Sequence, residues 1–181
     1  MKKIDVSFWL IPVENQKKKL QKKINDLANE FKSFSYAPHV TIYHFNHKLN
    51  KDEIENIKTS ADKILKNQKS ISLNSLKIDY SNIFTKTLFI QFEINSDLLF
   101  LHKKFVNTFK KFPVYNLNPH LSLIYKNKMK QEDKIKIIKN LKFDNKIVFD
   151  ELRIIIKNGD GIKKEKDILL WKEIYRKKFN F

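Results

Sequence analysis

One pentapeptide pattern occurs once in each half of the chain: Pro38-His39-Val40-Thr41-Ile42 and Pro119-His120-Leu121-Ser122-Leu123. Each reads proline, histidine, apolar, hydroxyl, apolar. The elements around each copy also follow one order. Ile4 to Ile11 is a short apolar run ended by Pro12, which predicts a strand. Leu20, Ile24, Leu27, Ala28 and Phe31 then recur at helical spacing. The first motif strand, His39 to Phe45, comes next. A helix capped by Asn50 with Glu53 follows, and then a strand over Ile71 to Tyr80 with an irregularity after Ser75. In the second half Thr87 to Ile94 predicts a strand, and Ser96 caps a helix through Leu98, Leu101, Phe105, Phe109 and Phe112. The second motif strand, His120 to Tyr125, precedes a lysine-rich helix with Ile135, Ile138 and Leu141, then a strand over Ile147 to Ile156. Asn158-Gly159-Asp160-Gly161 predicts a hairpin into a returning strand over Ile168 to Tyr175. A duplicated order of strand, helix, motif strand, helix, strand implies an α+β chain of two similar lobes about an approximate twofold axis, with the motif strands brought together. No Pro-, Gly- or Ser-rich linker separates the halves, so residues 1–181 read as a single bilobal domain.

In a strand, residues i and i+2 share a face, about 6.5–7 Å apart. His39 and Thr41 therefore share one face, and Val40 and Ile42 enter the opposite, core side. His120 and Ser122 do the same on the second strand. Facing each other, the four side chains form a pocket of two imidazoles and two hydroxyls. In-line displacement at phosphorus needs a base on one side and an acid on the other, and two histidines can hold opposite protonation states. Hydroxyls and lysines can bind the nonbridging oxygens that carry the charge.

Composition narrows the classes further. The chain has two glycines and no cysteine, which excludes phosphate-cradling glycine loops, thiol catalysis, disulfide scaffolds and zinc fingers. Lys plus Arg is 37 against 20 Asp plus Glu, a net charge of +17. All but Arg153 and Arg176 of these cations are lysines. That excess matches the Lys/Asn/Ile/Phe-rich usage of an AT-rich genome, and it also favours phosphate-bearing partners. No His-x-His or His-x₃-His spacing occurs, so neither a metal nor another cofactor is expected. Simple alternation puts His44 on the face opposite His39. His47 lies towards a loop, and His102 falls on a helix among Leu101 and Phe105, so these three read as structural or surface residues. No apolar stretch is long enough for a membrane helix. A soluble, cytoplasmic monomer without a membrane partner is expected.

These motifs make the chain similar to the 2H phosphoesterase superfamily, with the plant and yeast type cyclic phosphodiesterases as the nearest branch. The likeness runs from Val6-Ser7-Phe8-Trp9-Leu10-Ile11-Pro12 through the first motif to Pro119-His120-Leu121-Ser122-Leu123-Ile124-Tyr125. It implies two antiparallel sheets facing a central cleft with helices outside. It also implies metal-independent hydrolysis of 2′,3′-cyclic nucleotides to 2′-nucleotides, and of ADP-ribose 1″,2″-cyclic phosphate to ADP-ribose 1″-phosphate. His39 and His120 carry over as the catalytic pair, with Thr41 and Ser122 as substrate-binding residues. Twofold symmetry leaves acid and base interchangeable; the resemblance makes His120 the base and His39 the acid. Tyr125 matches a tyrosine near the phosphate, although alternation places it on the other face unless a bulge returns it. Trp9 matches an aromatic beside the pocket and either stacks a base or fills the core. Lys86 and Thr87 fall where the family has residues near the site, with different side chains. Two alternatives stand beside this: a phosphodiesterase of the 2′-5′ RNA ligase type acting on RNA ends, and a noncatalytic nucleotide- or RNA-binding module.

Overall fold

The computed structural model describes residues 2–180. Seven strands and four helices follow the order β1 (Lys2–Pro12), α1 (Glu14–Glu30), β2 (Val40–Leu49), α2 (Lys51–Ile64), β3 (Ile71–Tyr80), β4 (Leu88–Phe92), α3 (Ser96–Thr108), β5 (His120–Ile124), α4 (Gln131–Asn140), β6 (Lys146–Asn158) and β7 (Lys172–Lys178). Pro12 ends β1 because it supplies no further ladder donor. Asn50 and Glu53 form the expected capping box: Glu53 N–H donates to Asn50 Oδ1 at 2.8 Å and Asn50 N–H to Glu53 Oε2 at 3.0 Å. Before α3 the cap is Asn95 rather than Ser96. Its Oδ1 accepts from Leu98 N–H at 2.9 Å while its amide donates to Ser72 O at 2.7 Å.

The strands form one antiparallel array in the order β2-β1-β6-β3-β4-β5, with β7 beside β6. The two sheets of the lobes are thus continuous, joined where the first residues of β3 and β6 pair, Ile71 with Phe149 and Leu73 with Ile147. Each repeat gives its third strand to the other. β3 continues along β4 from Ser75 to Tyr80, and β6 runs along β1 from Phe149 to Asn158. The irregularity expected after Ser75 lies between Ser75 and Lys77. Val6, Phe8 and Leu10 face the main core with Ile42, Tyr43, Phe105 and Phe109. Trp9, Ile11, Ile155 and Trp171 form a second small cluster on the opposite face.

Both motif strands carry a β-bulge directly after the hydroxyl residue. In β2, Trp9 pairs with Thr41 but Phe8 with Tyr43, which leaves Ile42 as the extra residue. In β5, Phe89 pairs with Ser122 but Leu88 with Ile124, which leaves Leu123 extra. A bulge reverses the alternation beyond it. The helix of the other repeat secures the first: His102 of α3 donates from Nδ1 to Ile42 O at 2.8 Å. On the other side, Ser33, just after α1, donates to Tyr125 O at 2.7 Å.

The hairpin expected at Asn158 to Gly161 is instead a long connection. Gly159 takes φ +86°, the left-handed region that glycine tolerates, and Gly161 does not. The chain then runs through a 3₁₀ segment, Glu165–Leu170, before β7 begins at Lys172. Asp167 holds this excursion by accepting from the Lys163 and Lys164 backbone N–H groups. No helix among the described residues is long and apolar enough to cross a membrane.

Candidate active site

The two motif strands place His39 and His120 on the wall of one cavity of about 280 Å³, which Thr41, Trp9 and Tyr125 also line. Each histidine is anchored in the same way. His39 Nδ1 meets Ala37 O at 2.7 Å, and His120 Nδ1 meets Asn118 O at 2.7 Å. A carbonyl can only accept, so both rings carry their proton on Nδ1 and keep Nε2 as the free nitrogen. In each repeat the histidine also packs against the aromatic residue paired with its hydroxyl partner. Trp9 stacks on His39 at 3.6 Å, and Phe89 meets His120 edge-on at 5.7 Å.

Burial governs the protonation of both rings. His39 is lowered to about 3, first by burial and then by the charges of His120 and Arg153, against the raising effect of its bond to Ala37. His120 is lowered to about 4 by burial and by the Lys86 ammonium, again against its carbonyl bond. At neutral pH both imidazoles are therefore uncharged bases. Arg153, whose charge bears on His39, is itself paired with Glu151 at 2.5 Å and Glu173 at 3.3 Å.

The hydroxyls differ. Thr41 faces the cavity, whereas Ser122 is buried and donates to Thr85 O at 2.6 Å. Lys86 sits over the Phe89 ring at 4.1 Å and bears on His120 by its charge without lining the cavity. Thr87, expected near the site, is turned away from it. Its hydroxyl is buried at the meeting point of Phe84 O, Lys126 O and Lys126 N–H, where it ties the 3₁₀ turn Phe84–Lys86 to the end of β5. Its neighbour Thr85 lines the cavity instead.

The bulges decide the remaining positions. Tyr125 is returned to the cavity face, stacked on Tyr36 at 4.3 Å. Burial holds its hydroxyl well above the ordinary phenol range. His44, which alternation assigns to the opposite face, is returned by the bulge in β2 and lines the cavity too. Trp9 has one face covered by His39 and Trp171 edge-on at 4.8 Å, so it supports the histidine. Asp5, Ser7, Tyr115, Gly161, Ile162 and Trp171 complete the lining. Adjacent apolar pairs after the hydroxyls, Ile42-Tyr43 and Leu123-Ile124, are the sequence trace of the bulges. His102, by contrast, is structural, as its helical context implies. No group of three or more His, Asp or Glu side chains placed to hold a metal ion occurs among the described residues.

A larger cavity of about 440 Å³ lies away from this chemistry, between α1 and the start of β6, lined by Lys19, Lys22, Lys23 and Lys142 with Asp26 and Asp144 around Leu20, Phe143 and Ile147.

A family model described as cyclic phosphodiesterase-like protein matches residues 4–151. No curated protein matches the chain. Among solved structures, Escherichia coli LigT in apo form superposes with a TM-score of 0.63 at 9% identity, covering 100% of both chains. LigT complexed with 3′-AMP gives 0.60 at 9% identity over 98% of this chain and 99% of that one. A structure described as a phosphoesterase gives 0.59 at 10% identity over the same shares. At these identities the likeness is one of fold.

Proposed function

The chain belongs to the cyclic phosphodiesterase-like family of the 2H phosphoesterases, and from that membership we propose that it hydrolyses 2′,3′-cyclic nucleotides to 2′-nucleotides and ADP-ribose 1″,2″-cyclic phosphate to ADP-ribose 1″-phosphate, using His39 and His120 without a metal. The observation that carries this reading is the matched anchoring of the two imidazoles, each with Nδ1 on a carbonyl and Nε2 free, on one cavity wall.

In the proposed reaction His120 Nε2 takes a proton from water as its oxygen bonds to phosphorus. His39 Nε2–H protonates the ribose 3′ oxygen as the P–O bond breaks. Lys86 disfavours a charged His120 and so keeps it ready as base. His39 needs its proton before the step, and the bound phosphate monoanion supplies the reason for it to take one. Charges attract most strongly where water is excluded, and His39 is the deeper ring. Thr41 donates to a nonbridging oxygen, and Tyr125 closes the other side. We read Ser122 as holding the Thr85 segment, and the two lobes as one bilobal unit.

Purified protein incubated with 2′,3′-cyclic AMP and excess EDTA tests this. Formation of 2′-AMP is expected. Activity that vanishes with chelator and returns with a divalent ion, or a 3′-nucleotide product, overturns it.

A further inference from the structure

Beyond Thr41 the cavity continues past Ser7 and His44 to Asp5, with Tyr115, Gly161 and Ile162 on its other sides. The catalytic pair does not use this arm. Asp5 is buried, and its Oδ1 accepts from His44 Nε2 at 2.7 Å and from Asn46 Nδ2 at 3.3 Å. A carboxylate acceptor fixes the ring proton on Nε2. Nδ1, the other ring nitrogen, has no protein partner among the described residues. His44 is also the counterpart of Tyr125: each stands five residues after its motif histidine, beyond a bulge at equivalent positions.

Resting on the reading of this site as a cyclic phosphodiesterase centre, we propose that His44, positioned by Asp5, forms a second subsite that takes the nucleobase of a 2′,3′-cyclic nucleotide. Three features select that group. Same-face positions on a strand are about 6.5–7 Å apart, so His44 lies roughly 13–14 Å along β2 from His39, a nucleotide's length from the reacting phosphate. The Tyr115 ring, T-shaped against His44 at 6.3 Å, and Ile162 offer apolar surface to a planar ring. Asp5 places a carboxylate where a second phosphate would be repelled, whereas an uncharged base brings an amine for His44 Nδ1. The arm therefore ranks cyclic mononucleotides above ADP-ribose 1″,2″-cyclic phosphate, whose pyrophosphate would enter it.

Calorimetry with 2′-AMP and ribose 2-phosphate, which differ only in the base, tests the subsite without turnover. Wild type is expected to bind 2′-AMP about tenfold more tightly, the scale of one or two hydrogen bonds. In His44→Ala that preference should fall below about twofold. His44→Lys keeps a donor for Asp5 and has no acceptor, so it should lose the preference with the fold intact, and it serves if the alanine variant does not fold. Asp5→Asn should improve the binding of ADP-ribose 1″-phosphate relative to 2′-AMP. A base preference that survives in both His44 variants overturns the proposal, as does an equal loss for both ligands. Base-dependent binding without hydrolysis of any cyclic phosphate overturns the proposed activity and leaves the subsite standing. Hydrolysis without base preference does the reverse, and binding of neither ligand overturns both.

Discussion

The indole of Trp9 lies face to face on the imidazole of His39, centroids 3.6 Å apart and planes 9° from parallel. The stack removes water from the imidazole, and burial is the leading cause of its fall to about 3. Trp9→Leu should admit water and move the His39 titration upward towards its ordinary value near 6.5, while His120 stays in place. Proton NMR of the two imidazoles reads this directly. An unmoved His39 shows that the indole does not control its protonation.

His39→Ala and His120→Ala should each lower turnover by about 10²- to 10⁴-fold, the range for losing a general acid or base. The double variant should fall far short of the product of the two losses, because the losses of an acid and a base that serve one step are not additive. Steady-state kinetics on folded protein checks both statements. Multiplicative losses would mean the two rings act independently.

Stability should fall as the pH is lowered. Both motif histidines titrate below their unfolded value near 6.5, at about 3 and about 4. Between those limits the unfolded chain binds protons that the folded chain refuses. Their contribution is thus fully present above about pH 6.5 and is lost towards pH 3, at up to about 1.4 kcal/mol per pH unit for His39. Urea denaturation from pH 7 to pH 4 should show the loss, and His39→Gln should flatten it. Equal slopes in the two proteins would contradict the burial of an uncharged His39.

His102→Ala should destabilise the fold by about 1–3 kcal/mol, since it leaves the buried Ile42 carbonyl without its donor. The folded enzyme should retain its turnover number, because the bulge lies beyond Thr41. Denaturant midpoints and kcat together check this. A large fall in kcat at unchanged stability would place His102 in the chemistry.

For substrates of different size, kcat/KM should favour 2′,3′-cyclic AMP over an oligonucleotide ending in a cyclic phosphate, with little dependence on salt. One phosphate releases few counterions, whereas a strand lying along the groove of Lys19, Lys22, Lys23 and Lys142 would show a log–log salt slope near −0.7 per contact. Preference for the oligomer, lost steeply with salt, would make the RNA end the substrate.

Much of this architecture is legible in the residues. Motif spacing, the helical stripes and the Asn50–Glu53 box each rest on local periodicity or a local hydrogen bond, and local signals survive in sequence. His44 was hidden because parity counting assumes an unbroken ladder, and the residue that breaks it, Ile42, is an ordinary strand former. Thr87 and Thr85 exchange places for a similar reason: the 3₁₀ turn Phe84–Lys86 rotates the chain just before β4. The connection after Gly159 looked tight because Asn-Gly-Asp-Gly matches a hairpin. Asp167, too far along to enter that pattern, holds it open.

The exchange of β3 and β6 means that neither half of this chain closes its own sheet. The segment Lys2–Tyr80 ends in a strand whose partner, β4, belongs to the other half, and Leu88–Asn158 ends in one whose partner is β1. An isolated repeat would leave these ladder edges open, and a second copy, meeting it as a swapped homodimer, could fill them. The short run between β3 and β4 is in that sense a tether. It turns what would be an encounter between two molecules into an intramolecular closure at high effective concentration, and it frees the two halves to diverge, so that one could keep a histidine where the other keeps Tyr125.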